Sequence, residues 1–198
     1  MCKDCSIIEN ISVVCHDTTR VVHTKCIEIL CNLTRFQGNI GALFSSVQVS
    51  DALFICGSSP VGEDRLWTMR SLQNMTADSS CKSRLATSSI IKMLCVSATK
   101  LEDADEHEAA VASLANLSTD ASAVVQMANS KICVSTLISI ANDDKYSSKV
   151  QFHACNSIAR IAVWFQKFAG LAEVTNAFNL PAIPTFEPKG HMRWDYNE

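Results

Sequence analysis

A four-residue motif recurs along this chain at nearly constant spacing. Its copies are Leu30-Cys31-Asn32-Leu33, Leu72-Gln73-Asn74-Met75 and Leu114-Ala115-Asn116-Leu117, with a degenerate fourth copy, Ile158-Ala159-Arg160-Ile161. The third residues of successive copies lie 42, 42 and 44 positions apart. A fixed period of about 40 to 47 residues is typical of stacked helical repeats, in which each unit is too small to bury its apolar face alone. The motif therefore predicts an elongated helical array.

The residues around the motif predict one buried helix in every unit. Apolar residues stand five and two positions before the third motif residue and one position after it, as Val111, Leu114 and Leu117 do in the third unit. These offsets place side chains on one stripe of a helix with about 3.6 residues per turn. Six positions before it stand short residues that would let another helix approach closely: Cys26, Thr68, Ala110 and Ala154.

Two further helices are predicted in each complete unit. Apolar stretches that lie 21 to 23 residues upstream of the motifs indicate a second helix; they contain Ile11, Leu53, Leu94 and Leu137. Shorter apolar segments follow three groups of turn or capping residues, Gln37-Gly38, Asp78-Ser79-Ser80 and Thr119-Asp120. Asp and Ser in such turns can accept hydrogen bonds from the free N–H groups at the start of a helix. Each unit is thus expected to hold one short helix and two longer ones.

Three helices per repeat, with an Asn between two apolar residues late in the third helix, resemble the unit of the armadillo repeat family. The resemblance covers roughly residues 5 to 165. It implies an all-α, right-handed superhelical solenoid of about four three-helix repeats, the first of which lacks its first helix. The paired-helix HEAT repeat is the alternative, but it lacks this Asn and does not need the middle segment.

The domain prediction has three parts. Residues 1–165 are expected to form the solenoid, residues 166–178 a C-terminal capping helix, and residues 179–198 an extended or disordered tail, because three prolines in this segment oppose a helix. Docking of the tail on the solenoid is the sharper alternative. The large apolar residues Val163, Trp164 and Phe165 are expected to seal the last repeat.

The chain begins in the middle of a repeat, which would leave apolar residues such as Ile7 and Ile8 partly uncovered. Terminal repeats normally carry a polar capping face. The expectation is therefore a truncated gene product, a fragment of a larger protein, or end-to-end self-association through the uncapped N-terminus.

Composition and motifs argue against several functions. The net charge of −3 disfavours a nucleic-acid surface, which needs a basic stripe. No apolar stretch is long enough to span a membrane, and a terminal Cys2 or Cys5 is weak evidence for a lipid anchor. The five His residues have no partner at a catalytic spacing, and no Gly-rich phosphate loop precedes a helix. No enzymatic activity, cofactor or small-molecule substrate is therefore expected. An acidic run over residues 102–108 bridges two predicted helices and is expected to be a solvated linker with charge at a helix N-terminus.

Ten cysteines are present, and several of them lie within helix patterns, where a free thiol acts as a small buried hydrophobe. This placement favours a reducing compartment, the cytoplasm or the nucleus. Cys2, Cys5, His23 and Cys26 have spacings that could hold a tetrahedral zinc ion. Cys26 already fills the small-residue position of its repeat, so no metal is expected and zinc is a minor alternative.

The resemblance also implies a binding face. In armadillo proteins the third helices line a concave groove, and the recurrent Asn bonds the backbone of an extended peptide through its amide. Carried over by position, this implies Asn32, Asn74 and Asn116, with Arg160 at the fourth position. Residues one and two turns earlier would set specificity: Glu28, Arg70 and Asn156, and Lys25, Trp67 and His153. The alternative is that the Asn only braces the end of its own helix.

The predicted function is a non-enzymatic scaffold or adaptor that holds an extended or helical segment of a partner protein. An architectural fragment of a larger armadillo protein is the alternative. Nuclear-import adaptors of the importin-alpha type place a Trp four residues before the Asn, as a slot for Lys side chains, whereas Trp67 stands seven before Asn74. Arg70 and Arg160 would also repel a basic import signal, so that role is disfavoured.

Overall fold

The computed structural model describes residues 5–16 and 22–169, and within these ranges it contains eleven α-helices and no strand. In chain order they are α1 (Cys5–His16), α2 (His23–Thr34), α3 (Gln37–Ser45), α4 (Val47–Gly57), α5 (Gly62–Ala77), α6 (Ser79–Leu85), α7 (Ser88–Ala98), α8 (Ala104–Leu117), α9 (Ala121–Asn129), α10 (Lys131–Asn142) and α11 (Ser148–Ala169).

The helices follow a repeating order of one short helix and two longer ones. Helices α3 to α5 form the second repeat, α6 to α8 the third and α9 to α11 the fourth, while α1 and α2 are the second and third helices of the first. The short helices have 9, 7 and 9 residues, and the third helices of these repeats have 16, 14 and 22. The predicted all-α solenoid and its three-helix unit are confirmed.

Local sequence accounts for where two of the short helices begin. The Asp78 carboxylate accepts a hydrogen bond from the backbone N–H of Ser80 at 2.8 Å, and Asp120 accepts from Ser122 and Ala123, both at 3.0 Å. These are the predicted caps of α6 and α9. Helix α3 differs, because its N-cap residue, Phe36, makes no side-chain capping bond.

The helices pack in two layers. The third helices α2, α5 and α8 lie side by side, and the second helices α1, α4, α7 and α10 form the other layer. The core between them contains the predicted apolar stripe: Ile27, Leu30, Met69, Leu72, Met75, Val111, Leu114 and Leu117 are all fully buried. Leu33 of the first motif, and Cys155 and Ile158 of the fourth repeat, are only partly buried, so the stripe packs less completely in the first and fourth repeats.

Helix α11 shows no break at the predicted end of the solenoid. A compact unit ends at Phe165, yet the helix continues to Ala169, so residues 166–169 extend α11. The rest of the predicted capping helix, residues 170–178, and the tail at residues 179–198 lie outside the described residues. Trp164 and Phe165 pack edge to face at 5.4 Å and lie against the core, as predicted, whereas Val163 is 50% exposed.

The first described helix carries an uncovered apolar side chain, because Val13 on α1 is 58% exposed. The side chains of Ile7 and Ile8 lie outside the described ones. No helix in residues 5–16 and 22–169 is by itself both long and apolar enough for a membrane span. Two consecutive pairs, α3 with α4 and α9 with α10, meet that length and composition only together, and they bend by 96° and 92°.

Candidate functional site

Side chains of the neighbouring third helices α2 and α5, and of Arg35 directly after α2, line a cleft of about 540 Å³. The lining residues are Glu28, Cys31, Asn32, Arg35, Trp67, Arg70, Gln73 and Asn74. Five of the ten predicted groove residues meet here: Glu28, Asn32, Trp67, Arg70 and Asn74. Arg35 was not predicted, although it stands three residues after the first motif Asn. We call this site the α2–α5 cleft.

The third motif residues connect each third helix to the one before it. The Asn74 side-chain nitrogen donates to the Thr34 hydroxyl at 3.0 Å. In the next repeat Asn116 donates to the Gln73 carbonyl oxygen and the Thr76 hydroxyl, both at 3.3 Å. Arg160 replaces the fourth Asn and makes the equivalent contacts. Its guanidinium donates to the Ala115 carbonyl at 3.0 Å and to the Ser118 hydroxyl at 3.1 Å.

The acceptors of these bonds form a second recurrent position. Thr34, Thr76 and Ser118 each stand two residues after a motif Asn. Each hydroxyl also donates to the carbonyl oxygen three residues earlier in the chain, at 2.6, 3.2 and 2.7 Å respectively. Because the proton of each hydroxyl is engaged, its oxygen faces the next repeat as an acceptor. We call this series of contacts the inter-repeat ladder.

The ladder bears on the two roles considered for the motif Asn. The side-chain nitrogens of Asn74 and Asn116 donate hydrogen bonds within the protein, which supports a bracing role. These bonds brace the preceding third helix, however, and not the helix that carries the Asn. The amide oxygens of both residues have no hydrogen-bond partner among the described residues, and neither end of the exposed Asn32 amide has one. The cleft therefore keeps acceptors that face solvent.

The Trp67 ring is already covered by a cation. The Arg70 guanidinium carbon lies 5.2 Å from the ring centroid, a cation–π arrangement. Arg70 also forms an ion pair with Asp105 of α8 at 2.7 Å. Trp67 itself donates weakly to Glu63 at 3.5 Å. These contacts hold Trp67 and Arg70 as one stacked unit in the cleft.

The other predicted groove residues lie outside the cleft lining. Lys25 pairs with Glu28 at 2.8 Å, and this hydrogen bond raises the pKa of the lysine. His153 on α11 is half-buried, and burial lowers its pKa, with a further contribution from the neighbouring Lys149. Asn156, on the same helix, is half-buried as well. Lys149 is paired with Glu108 of α8. The predicted residues of the fourth repeat thus lie outside the α2–α5 cleft.

The acidic run matches only in part the predicted solvated linker with charge at a helix N-terminus: Glu102 and Asp105 are exposed and Asp103 caps α8, but Glu106 is not solvated. Glu106 is fully buried and accepts from the Arg65 side-chain nitrogen Nε at 3.0 and 3.2 Å. Asp103 caps α8, whereas Asp105 and Glu108 pair with Arg70 and Lys149 from other repeats. The prediction was wrong for Glu106 because a charge pattern shows the acidic residues but not the cations that another helix brings to them.

His23 is placed by a buried polar cluster and not by the Cys26 partner considered in the zinc hypothesis. Its Nε2 donates to the Cys15 carbonyl at 2.8 Å and lies 3.5 Å from the Cys56 sulfur, and its Nδ1 lies 3.3 Å from Asp64. A thiol, an imidazole and a carboxylate in this order occur in nucleophilic active sites. Here their exposures are 0, 3 and 1%, so no substrate reaches them and the cluster ties the first two repeats together.

The described cysteines, eight in number, are all free thiols, and six of them are buried. Cys2 and the Cys5 side chain lie outside what the structure describes. Among the described side chains no group of three or more His, Cys, Asp or Glu residues is arranged to hold a metal ion.

The chain matches no protein-family model and no curated protein. Solved structures are similar to it. The designed armadillo repeat protein YIII(Dq)4CqI is 17% identical, with a TM-score of 0.70 over 83% of this chain and 70% of that one. A second designed armadillo repeat protein, solved with the peptide (KR)4, is 15% identical, with a TM-score of 0.66 over 86% of this chain and 72% of that one. A further engineered protein, 18% identical, has a TM-score of 0.65 over 79% and 63% of the respective chains. The likeness establishes an armadillo-like repeat fold.

Proposed function

We propose that this armadillo-like solenoid is a non-enzymatic scaffold that holds an extended segment of a partner protein along its third helices. The observation that carries the proposal is the α2–α5 cleft, where the unpaired amide oxygens of Asn32 and Asn74 lie beside the stacked Trp67 and Arg70. A designed armadillo repeat protein with a similar fold was solved in complex with a peptide, which supports a peptide as the class of ligand.

The spacing of the helices suits an extended chain. Packed helices lie about 8 to 10 Å apart, and an extended peptide advances about 3.3 Å per residue. Two motif Asn residues on adjacent helices would therefore meet peptide groups that are two or three residues apart. Each amide oxygen would accept one peptide N–H. The side chains of the ligand are then left to contact Trp67, Arg70 and Arg35, whose guanidinium has no ion pair with a described residue.

The occupied Trp67 ring bears on which ligands fit. Arg70 already stacks on this ring, so a Lys or Arg of the ligand would have to displace it. The ligand cation would also be repelled by the positive charges of Arg70 and Arg35, which both line the cleft. The proposed ligand is therefore not a Lys-rich segment of the kind that nuclear-import adaptors bind. The eight free thiols support a reducing location, the cytoplasm or the nucleus.

The experiment is a selection of random 12-residue peptides on the whole chain, followed by affinity measurements on single variants. Asn32→Ala removes the amide that makes no contact in the described structure, so it should leave folding intact. We expect about fivefold weaker binding, the loss of roughly one hydrogen bond of ~1 kcal/mol. Asn129→Ala, at the exposed end of α9, is the matched control and should bind as the natural chain does.

Two results would overturn the proposal. One is a selection that yields no binding peptide. The other is a set of peptides whose affinity is the same for the natural chain and for a variant carrying both Asn32→Ala and Trp67→Ala, since such peptides would occupy another surface. Circular dichroism of each variant would verify that the helices are retained.

A further inference from the structure

A second cavity lies between the second helices α4 and α7. It is therefore in the layer of second helices, whereas the α2–α5 cleft is in the layer of third helices. Its volume is about 430 Å³, and its lining residues are Phe54, Gly57, Ser58, Arg65, Ser89, Lys92, Met93, Val96 and Lys100. None of these residues lines the α2–α5 cleft. We call it the α4–α7 cavity.

The cavity has an apolar rim and floor. Phe54 and Val96, one from each helix, are 45% and 44% exposed, although both are large apolar residues. Met93 lies beneath them and is 7% exposed. The Met93 side chain packs directly on the backbone of α4, because a Cβ added to Gly57 would overlap the Met93 sulfur. The floor is therefore set by packing between repeats.

Three cations line the cavity, and no acidic side chain does. This contrasts with the net charge of −3 for the whole chain. The ammonium groups of Lys92 and Lys100 form no ion pair or hydrogen bond with any described residue. Both are therefore available to a ligand.

The third cation, Arg65, is held in place by hydrogen bonds within the protein, but one of its nitrogen atoms makes none with the described residues. Its Nε bonds Glu106, and its Nη1 donates to the carbonyl oxygens of Ser59 and Pro60 at 3.1 and 2.9 Å. Its Nη2 makes no hydrogen bond within the described part of the chain. Since no buried side-chain nitrogen there lacks a partner, this nitrogen must reach solvent. It offers a preorganised donor on a side chain that lines the cavity.

We propose that the α4–α7 cavity binds an acidic, amphipathic segment of a second partner protein. Carboxylates of that segment pair with Lys92, Lys100 and the free Nη2 of Arg65, and an apolar side chain lies between Phe54 and Val96. A nucleic acid would need a longer basic stripe, and an anionic membrane usually needs a cluster of about 4 to 8 basic residues. The three cations and two exposed apolar side chains of the cavity match a short protein segment that carries both carboxylates and an apolar side chain. The solenoid thus has a binding site on each layer.

The test uses charge reversal with a matched control. Random 12-residue peptides are selected on the whole natural chain and then measured on a Lys92→Glu/Lys100→Glu variant and on a Lys131→Glu/Lys145→Glu variant. The second pair is exposed, lies outside the cavity lining and changes the net charge equally. We expect a set of peptides, rich in Asp and Glu next to Leu or Phe, that bind at least tenfold more weakly to the first variant. The second variant and Asn32→Ala should bind them normally.

Phe54→Ser tests the apolar half of the site, and because this side chain is exposed the variant should remain folded. The acidic peptides should bind it at least threefold more weakly. The proposal is overturned if no selected peptide distinguishes the Lys92/Lys100 variant from the natural chain. It is also overturned if both charge-reversal variants lose affinity equally, or if Phe54→Ser has no effect. Binding to phosphatidylserine vesicles that depends on Lys92 and Lys100, without binding of acidic peptides, would assign the cavity to a membrane instead.

Discussion

The side-chain nitrogen of Asn74 lies 3.0 Å from the hydroxyl oxygen of Thr34, and this bond joins the third helices of the first two repeats. Thr34 is 1% exposed, so the bond is shielded from water on the acceptor side. A motif position that recurs in each repeat and suggests ligand binding thus also stabilises the fold.

We expect Asn74 and Thr34 to be energetically coupled. Asn74→Ala and Thr34→Val should each lower the free energy of unfolding, and the double variant should lose about 1 kcal/mol less than the sum of the two. Urea denaturation of the four proteins measures this. Additive effects would mean that the bond contributes no coupling. Asn129→Ala, which is outside the ladder, should be additive with Thr34→Val.

The buried and exposed ion pairs of the acidic run should differ in strength. Glu106→Gln leaves the nearly buried Arg65 without its counter-charge and should lower the free energy of unfolding by about 3 kcal/mol. Asp105→Asn removes the partner of Arg70, but Asp105 is 64% exposed, so less than about 1 kcal/mol should be lost.

Denaturant unfolding at low and high salt compares these two variants. Salt should reduce only the small Asp105 effect, because water and ions reach that pair. Equal losses for both variants would contradict the distinction based on burial.

Because Asp120 caps α9, the free energy of unfolding should change with pH in the acid range. Hydrogen bonds from the Ser122 hydroxyl and then from the Ala123 backbone lower the pKa of Asp120 below its ordinary value of 3.8. A lowered pKa in the folded state means that the stabilisation is present above the ordinary value and is lost as the pH falls through the folded value. Asp120→Ala should therefore cost about 1 kcal/mol at pH 7, and this difference should shrink as the pH falls below 3.8 and vanish once the carboxyl group is protonated in the folded state. Thermal melts across this range check it; a difference that persists at low pH would exclude the charged cap.

Two glycines should respond oppositely to the same substitution. A Cβ at Gly57 would meet the Met93 sulfur at 2.3 Å and the Thr68 methyl at 3.1 Å, so Gly57→Ala should lower the free energy of unfolding by about 1 kcal/mol or more. A Cβ at Gly41, within α3, has nothing within 4 Å. Gly41→Ala should stabilise the protein by about 0.5 to 1 kcal/mol through helix propensity. Similar melting temperatures for the two variants would contradict the tight packing of the Met93 and Thr68 side chains on Gly57.

The fold was predictable because the apolar stripe and the caps are local signals. Leu72 and Leu114 lie at fixed offsets within one helix, and Asp78 and Asp120 bond residues that are two or three positions away. Because the motif recurs at a nearly constant spacing, the structure predicted for one repeat applies to the others.

The contacts between repeats were not predictable in the same way. Arg65 and Glu106, or Thr24 and Asp64, lie about one period apart in sequence, and their pairing depends on how adjacent helices are offset along their axes. The same holds for Arg70, whose place over Trp67 is fixed by Asp105 from the next repeat. The sequence did contain one unused signal, the hydroxyl two residues after each motif Asn.

Each repeat in the ladder offers a donor to its predecessor and an acceptor to its successor, and this makes the units interchangeable. Removing one whole period of 42 residues between Thr34 and Thr76 would bring Asn116 opposite Thr34, with the same chemistry restored across the new junction. A chain built in this way can change its length by duplication or loss of whole units without inventing a new interface, and Arg160 shows that even the donor can be exchanged.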